Sequence, residues 1–169
     1  RKPIWIGIQG NHEYRIDRAL QHDPRLEGKK YGVSFEHLHT HRYYDEYHHY
    51  ENGAPAIKSY EGINYAHYIS SGNYGTALSG LHHGYGLTVK MAASCTVGHS
   101  HKFSYFVKQE ARPNPIHGLV AGCFKGKDEH WAGQANQEWR KGVVIKRNIN
   151  NGNYDLEFVS MDRLERDYS

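Results

Sequence analysis

The segment Ala92-Ala93-Ser94-Cys95-Thr96-Val97-Gly98-His99-Ser100-His101 places two histidines directly after a short apolar run. Such a run is typical of a buried β-strand, so we expect His99 and His101 to lie at a strand end. Two imidazoles separated by one residue can hold their nitrogens side by side, as metal ions require of their ligands. The chain has 14 histidines, however, and one His-x-His pair can arise there by chance.

A second polar motif, Gly10-Asn11-His12-Glu13, also follows an apolar run. The run Ile4–Ile8 is short and rich in β-branched residues, which predicts a buried strand. An Asn oxygen is a modest metal ligand, and a turn-forming role is the competing interpretation of Asn11. Two similar motifs at two predicted strand ends favour a shared site more than either does alone.

Length and composition predict one globular domain of ordinary core size. The chain has 169 residues, of which 38% are hydrophobic and 13% aromatic, including 14 Tyr, so it does not resemble a disordered tail. Its mean hydropathy is -0.83. The net charge of +3, from 21 basic and 18 acidic residues, does not by itself indicate nucleic-acid binding.

The cysteines and the apolar runs indicate the cellular compartment of the protein. Cys95 and Cys123 lie in apolar runs, which favours buried free thiols over a disulfide and fits a reducing compartment. No run approaches the roughly 18 apolar residues of a membrane span, and no signal peptide is visible. The sequence therefore predicts a cytoplasmic protein with no membrane partner.

Periodicity predicts a mixed α/β fold in which strands dominate the second half. We expect helices from Tyr14 to Leu20 and from Thr76 to about Met91. Strands are predicted at Ala56–Tyr60, Gly62–Ile69, Thr96–Val97, Phe103–Val107 and Ile116–Phe124, followed by a hairpin of Gly142–Ile149 and Tyr154–Met161 around an Asn-Gly turn. Residues 28–55 are irregular, and their His/Tyr-rich part (35–50) is either a functional loop or a surface that packs on itself.

The two polar motifs, in this order, resemble the Gly-Asn-His-Asp/Glu and Gly-His-x-His motifs of the calcineurin-like metallophosphoesterases. Between them, Gly62–His67 looks like the family's strand that ends in a histidine. The continuation Glu13-Tyr14-Arg15-Ile16-Asp17-Arg18 is similar to the branch common in bacteriophage and bacterial genomes. The resemblance covers roughly residues 3–165. It implies a four-layer α/β/β/α sandwich, with residues 1–169 forming a single domain that represents its C-terminal portion.

The resemblance implies a hydrolase with two divalent metal ions, commonly manganese, iron or zinc, and a bridging hydroxide that attacks phosphorus. Asn11, His67 and His99 would ligate one ion, and His101 would ligate the other. Two adjacent cations lower the pKa of the bridging water and neutralise the charge that develops on the phosphoryl group.

The resemblance also implies groups that act on the substrate. His12 would protonate the leaving alkoxide or stabilise charge on the phosphoryl oxygens. Arg15 and Arg18, three residues apart, could hold a substrate phosphate or simply form a solvated helix face. The substrate would be a phosphate monoester or diester, and the motifs do not separate a nuclease or nucleotide phosphodiesterase from a phosphatase acting on proteins or small molecules.

The chain departs from the family pattern at its start. The family begins with Asp-x-His and Gly-Asp motifs, and Asp17, Asp23 and Asp45 lie in contexts that do not match them. The favoured interpretation is that an N-terminal portion precedes this segment, which begins Arg1-Lys2-Pro3 without Met. Alternatively, a second chain completes the site, or the site has decayed and the protein is a non-catalytic binding or scaffold subunit.

Other residues leave alternatives open. The pair His82-His83 competes with His67 as a ligand, and His67, His99 and His101 could instead form a mononuclear zinc or iron site. His117 is either a cleft residue or, as we favour, a structural histidine. Trp131 and Trp139 are expected to pack over the sheet edge or a neighbouring subunit.

Overall fold

The computed structural model describes residues 2–168, and the chain divides into two compact units, one ending at Ala56 and the other beginning at Ile57. The fold is mixed α/β, as predicted. The strands are β1 (Ile6–Ile8), β2 (Glu46–His48), β3 (Lys58–Tyr60), β4 (Ile63–Ala66), β5 (Ser70–Ser71), β6 (Thr76–Ala77), β7 (Cys95–Val97), β8 (Phe103–Lys108), β9 (Ile116–Ala121), β10 (Gly142–Asn150) and β11 (Asn153–Ser160). The α-helices are α1 (Tyr14–His22), α2 (His83–Met91) and α3 (Met161–Tyr168), and 3-10 segments lie at Pro24–Leu26, Phe35–Leu38, Thr40–Arg42 and His130–Glu138. The single domain over residues 1–169 stays a prediction.

In the first unit, a buried glutamine ties the end of β1 to its neighbours. β1 pairs in parallel with β2, and Gln9 follows β1 with none of its surface exposed. Its side chain donates to Asp17 Oδ2 of α1 at 2.9 Å and accepts from the Tyr50 backbone N–H at 2.6 Å. These bonds satisfy the buried amide and hold β1, α1 and the chain after β2 together.

The expectation of a buried strand over Ile4–Ile8 is wrong for its first two residues. Ile4 and Trp5 are 69% and 60% exposed, and β1 begins only at Ile6. Trp5 is tied by polar groups instead, because its N–H donates to Asp45 Oδ2 at 2.9 Å and its carbonyl accepts from Asp45 N–H at 2.8 Å. An apolar run therefore does not determine which of its side chains are buried when only some of its residues pair with a neighbouring strand.

The His/Tyr-rich stretch packs on itself within the first unit. Phe35 and His49 meet edge to face with ring centroids 4.6 Å apart, and Tyr47 contacts Tyr44 and His49 at 5.5 and 5.2 Å. Gly7 of β1 leaves room for this cluster, since a Cβ there would lie 2.4 Å from the Tyr47 ring. These ring contacts support the second of the two predicted roles, a His/Tyr-rich surface that packs on itself.

The second unit is built on a five-stranded sheet in the order β3-β4-β7-β9-β8, in which β4, β7 and β9 are parallel. Helix α2 covers one face, and the core there contains Leu87, Cys95, Val97 and Val120. Two glycines allow this close packing, because a Cβ at Gly118 of β9 would lie 2.0 Å from the Gly84 carbonyl oxygen of α2.

The β10–β11 hairpin covers the other face of the sheet. Phe158 packs edge to face on Phe103 of β8, and Tyr154 packs on His117 of β9, with ring centroids 5.1 and 4.3 Å apart. The hairpin turn is confirmed, with Asn151 and Gly152 at φ 46° and 86° as a type I′ turn requires. Helix, sheet and hairpin form three successive layers in this unit.

The helix predicted from Thr76 to Met91 is wrong in its first half. Thr76 and Ala77 pair with Ser70 and Ser71 as a short hairpin, and α2 begins at His83. Gly80, at φ 122°, lies outside the helical region and separates the two elements. The strand predicted to Phe124 ends at Ala121, since Gly122 turns the chain at φ 83°.

Both cysteines are free, as predicted, and Cys95 is buried. Across residues 2–168, no helix combines the length and apolarity that a bilayer crossing requires.

Candidate metal centre

The register of two parallel strands brings His67 and His99 to one edge of the sheet. Ala66, the last residue of β4, is paired with Val97, the last residue of β7. The strand ends stay joined one residue further, where the Gly98 N–H donates to the His67 carbonyl at 3.2 Å. As a result, His67 Nε2 and His99 Nδ1 lie 3.0 Å apart, with the ring planes at 80°.

This pair of nitrogens is close to the spacing of two ligands on one cation. Zinc–imidazole bonds are about 2.1 Å, so two such ligands on a tetrahedral ion lie about 3.4 Å apart, a few tenths of an ångström more than the 3.0 Å observed. Without a cation, one imidazole donates its proton to the other in a hydrogen bond. Both rings are half-buried, and a cation that took the place of this hydrogen bond would require the donating ring to carry its hydrogen on the other nitrogen.

Tyr68 is a member of the centre that sequence reasoning missed. Its ring centroid lies 5.1 Å from that of His99 and 5.8 Å from that of His67, so it packs against both imidazoles. The signal available in the sequence was only its position beside His67. An aromatic wall limits rotation of both rings and partly excludes water, which strengthens interactions with a cation.

The His-x-His turn is strained. His99 and His101 both have φ 60°, a left-handed conformation that few non-glycine residues adopt, and Ser100 N–H donates to the Gly98 carbonyl at 2.7 Å. The Ser100 hydroxyl is buried and has no hydrogen-bond partner within residues 2–168. Residues held in such conformations cost on the order of 1–3 kcal/mol each and cluster at functional sites.

His101 has different neighbours from His99. Its ring meets Trp139 edge to face with centroids 4.5 Å apart, and its carbonyl accepts from the Arg140 N–H at 3.0 Å. Among the described residues, no group of three or more His, Cys, Asp or Glu side chains is arranged to hold a metal. The geometry of the second unit therefore supplies one pair of converging imidazoles, with His101 beside an indole.

His83, the alternative ligand considered from sequence, is the first residue of α2 and only 7% exposed. Burial lowers the pKa of its imidazole, and the nearby His99 lowers that pKa further. Its Nε2 has no hydrogen-bond partner in the part of the chain that the structure describes. His83 is thus a buried neutral imidazole near the pair, while His67 is the residue that meets His99 directly.

Asn11 and His12 lie in the first unit, in the turn between β1 and α1. The Gly10 N–H donates to Glu13 Oε2 at 2.9 Å, and the Gly10 carbonyl accepts the Tyr14 N–H at 3.1 Å, which closes the turn. Asn11 is half-buried and His12 is exposed. The turn holds both side chains at the carboxyl end of β1, where the sequence predicted them.

Arg15 and Arg18 lie on the exposed side of α1. They line an open groove of about 630 Å³ together with Ala19, Gln21 and His22. Two guanidinium groups and an imidazole make this groove basic, which suits a phosphate or another anion. Their assignment as substrate-binding residues stays a prediction.

A partly buried polar network lies between the sheet and the hairpin. Lys146 Nζ of β10 donates to Tyr65 OH at 3.0 Å and to Thr96 Oγ1, and it lies 4.2 and 4.8 Å from the ring centroids of Tyr65 and Tyr154. Burial lowers the pKa of Lys146 to about 7. Sequence reasoning missed this lysine, since nothing in a period-two strand pattern marks a lysine that faces inward.

His117 is structural. It is 3% exposed, and its Nε2–H donates to Asn153 Oδ1 at 2.8 Å while its Nδ1 accepts from Tyr105 OH at 2.6 Å. Burial lowers the pKa of His117. Both ring nitrogens are therefore used within the fold, as the favoured interpretation expected.

Comparisons of this chain with protein-family models, with curated proteins and with solved structures found no match.

Proposed function

We propose that this chain is the C-terminal portion of a dinuclear metal phosphoesterase that hydrolyses phosphate monoesters or diesters. The observation that carries the proposal is the 3.0 Å approach of His67 Nε2 and His99 Nδ1. The two imidazoles follow neighbouring parallel strands, and the carboxyl ends of such strands are where α/β sheets hold ligands. The order of the two sequence motifs around them supports the same reaction class.

The chain's own residues have distinct roles in this proposal. His67 and His99 would hold one ion together with the Asn11 side-chain oxygen, and His101 would contribute to the second. When bound, two divalent ions (manganese, iron or zinc) supply a nucleophile from water at neutral pH and neutralise developing charge. His12 would carry the proton that the leaving alkoxide takes up.

The remaining parts of the proposal concern the substrate and the fold. Arg15 and Arg18 would orient a substrate phosphate through charge-assisted hydrogen bonds. The layers of α2, five-stranded sheet and hairpin support a four-layer α/β/β/α sandwich, whose missing elements and carboxylate ligands would come from an upstream portion or a second chain. The two free cysteines support a cytoplasmic location.

The proposal is tested with the protein carrying any segment that its gene encodes upstream of Arg1. After chelation and dialysis, hydrolysis of p-nitrophenyl phosphate and bis(p-nitrophenyl) phosphate is followed with and without added Mn²⁺. Turnover that returns with Mn²⁺ supports the proposal, and the ratio of the two rates separates monoesterase from diesterase. A cooperatively folded protein that shows no metal-dependent turnover of either ester contradicts the proposal and favours a scaffold subunit.

A further inference from the structure

Two tryptophans form an aromatic surface beside His101. The ring centroids of Trp131 and Trp139 lie 5.7 Å apart, and Trp139 also packs edge to face on His101 at 4.5 Å. Lys125 Nζ lies 5.9 and 5.2 Å from the centroids of the two indoles. We call Trp131, Trp139 and Lys125 the indole platform.

The indole platform exposes an unusually large apolar area. Trp131 is 69% exposed, and Phe124, which precedes Lys125 in the sequence, is 70% exposed. Tryptophan is mostly buried in folded proteins, since removing its large ring from water is strongly favourable. Most of the Trp131 ring is therefore not covered by the sheet edge, which was one of the two roles expected from sequence, and packing on a neighbouring subunit stays a prediction.

The segment that carries Trp131 is held in place before any ligand arrives. Asn136 donates to the carbonyls of Glu129 and Gly133 at 2.8 and 2.9 Å and accepts the Glu129 N–H at 2.9 Å. The Glu129 carboxylate accepts from Trp131 Nε1 at 3.2 Å and pairs with Lys125. A ring fixed in this way loses little conformational entropy when another ring stacks on it.

We propose that Trp131 stacks on a nucleobase of the phosphoester substrate, and that the natural substrate is a nucleotide or a single-stranded nucleic acid. The inference rests on the proposed function, since it needs the scissile phosphate to be held next to His101. From there a continuous series of ring contacts leads through Trp139 to Trp131. Lys125 lies over both indoles but is paired with Glu129 at 2.7 Å, so the platform offers aromatic stacking area rather than a free cation.

The test compares two single-stranded oligonucleotides with the same phosphodiester backbone, one with bases and one with abasic sites. The wild-type protein with Mn²⁺ should cleave the base-bearing strand with a kcat/KM about tenfold higher, as one base–indole stack provides. Trp131→Ala should bring that ratio close to one, and Trp131→Phe should keep most of it. Tyr74→Ala, which removes a 95% exposed aromatic from the turn after β5, should leave the ratio unchanged.

A 2′,3′-cyclic mononucleotide distinguishes the two sources of the base. If Trp131→Ala slows hydrolysis of both the cyclic nucleotide and the strand, the result supports a nucleotide substrate. If it slows hydrolysis of the strand alone, the result supports a nucleic acid. Because Trp131 is exposed, its substitution should leave the thermal midpoint within a few degrees, which excludes unfolding as the cause.

Other outcomes overturn the inference in distinguishable ways. Equal wild-type rates on both strands, or a ratio that Trp131→Ala preserves, refute base stacking while the phosphoesterase proposal stands. A dimer that Trp131→Ala dissociates, with the ratio unaffected, assigns the platform to a second copy of the chain. If no phosphoester is cleaved with any divalent metal, the proposed function fails and base stacking fails with it.

Discussion

His67 Nε2 and His99 Nδ1 lie 3.0 Å apart although 32 residues separate them in the sequence. Their approach follows from the pairing of Ala66 with Val97, because His67 comes directly after Ala66 and His99 comes two residues after Val97. A cation between the two nitrogens would replace the hydrogen bond that now joins them, and the hydrogen of the donating ring would move to the other nitrogen of that ring.

The first prediction concerns metal affinity. His67→Ala should weaken binding of Zn²⁺ or Mn²⁺ by more than tenfold, because a single imidazole cannot chelate. Isothermal titration calorimetry on the chelated protein gives the affinity. His41→Ala, an exposed histidine in the first unit, is the matched control and should bind metal like the wild type. Unchanged affinity in His67→Ala would reverse the assignment in favour of His83.

The second prediction concerns the proton that the leaving group needs. If His12 is the general acid, His12→Gln should lower kcat by about 100-fold for an alkyl phosphate ester, whose alkoxide must be protonated. The same variant should lose far less with a p-nitrophenyl ester, since nitrophenolate leaves without a proton. Steady-state rates on the two substrate types give the comparison. Equal losses on both would assign His12 to charge stabilisation instead.

The third prediction concerns the pH dependence of stability at Lys146. The pKa of this lysine is about 7 in the folded protein and about 10.4 in an unfolded chain. Between these values the unfolded state binds one more proton at Lys146, so this lysine's contribution to the free energy of unfolding rises as pH increases from 7 toward 10. The buried Cys95 thiol, whose pKa is raised to about 12, acts in the opposite direction above about pH 9, so the lysine's effect is read from the difference between wild type and variant. Lys146→Met should remove this rise and stabilise the protein at pH 7 by roughly 1–2 kcal/mol.

Urea denaturation at several pH values measures the Lys146 effect. Lys90→Met, at an exposed position near the end of α2, is the control and should change neither the slope nor the stability appreciably. A difference in stability between wild type and Lys146→Met that does not change from pH 7 to 10 would contradict the lowered pKa of Lys146.

The fourth prediction concerns the contact between α2 and the sheet. Gly118→Ala should destabilise the protein by about 2 kcal/mol or more, because its Cβ would lie 2.0 Å from the Gly84 carbonyl oxygen. The control is Gly86→Ala in helix α2, which should be neutral or should stabilise the protein by up to about 1 kcal/mol. Its Cβ would meet Leu78 atoms no closer than 3.6 Å, and alanine favours helix. Thermal denaturation distinguishes the two, and similar midpoints would contradict the packing described.

Local patterns predicted the features that local chemistry determines. The Asn151-Gly152 turn follows from residues that tolerate positive φ, and the end of β7 before Gly98 follows from the change from apolar to polar residues. The family resemblance implied that His67 and His99 bind the same ion, but nothing in the sequence predicted the parallel register of β4 and β7 that brings them together.

Features that depend on tertiary contacts could not be predicted in this way. Thr76 resembles a helix start, but pairing with Ser71 across a turn determines its conformation. The inward position of Lys146 depends on which face of the sheet the hairpin covers. The exposure of Trp131 depends on the hydrogen bonds that hold its segment in place. Burial of a long side chain is decided by its neighbours in space, which a single sequence does not list.

The most direct test of the central claim is a double-mutant measurement of Mn²⁺-dependent phosphodiester hydrolysis with His67→Ala, His99→Ala and the double variant. If the two imidazoles hold one ion, either single substitution removes that ion, so all three variants should lose kcat/KM to the same extent. Single variants that keep wild-type turnover, or losses that multiply in the double variant, would contradict a shared metal at His67 and His99.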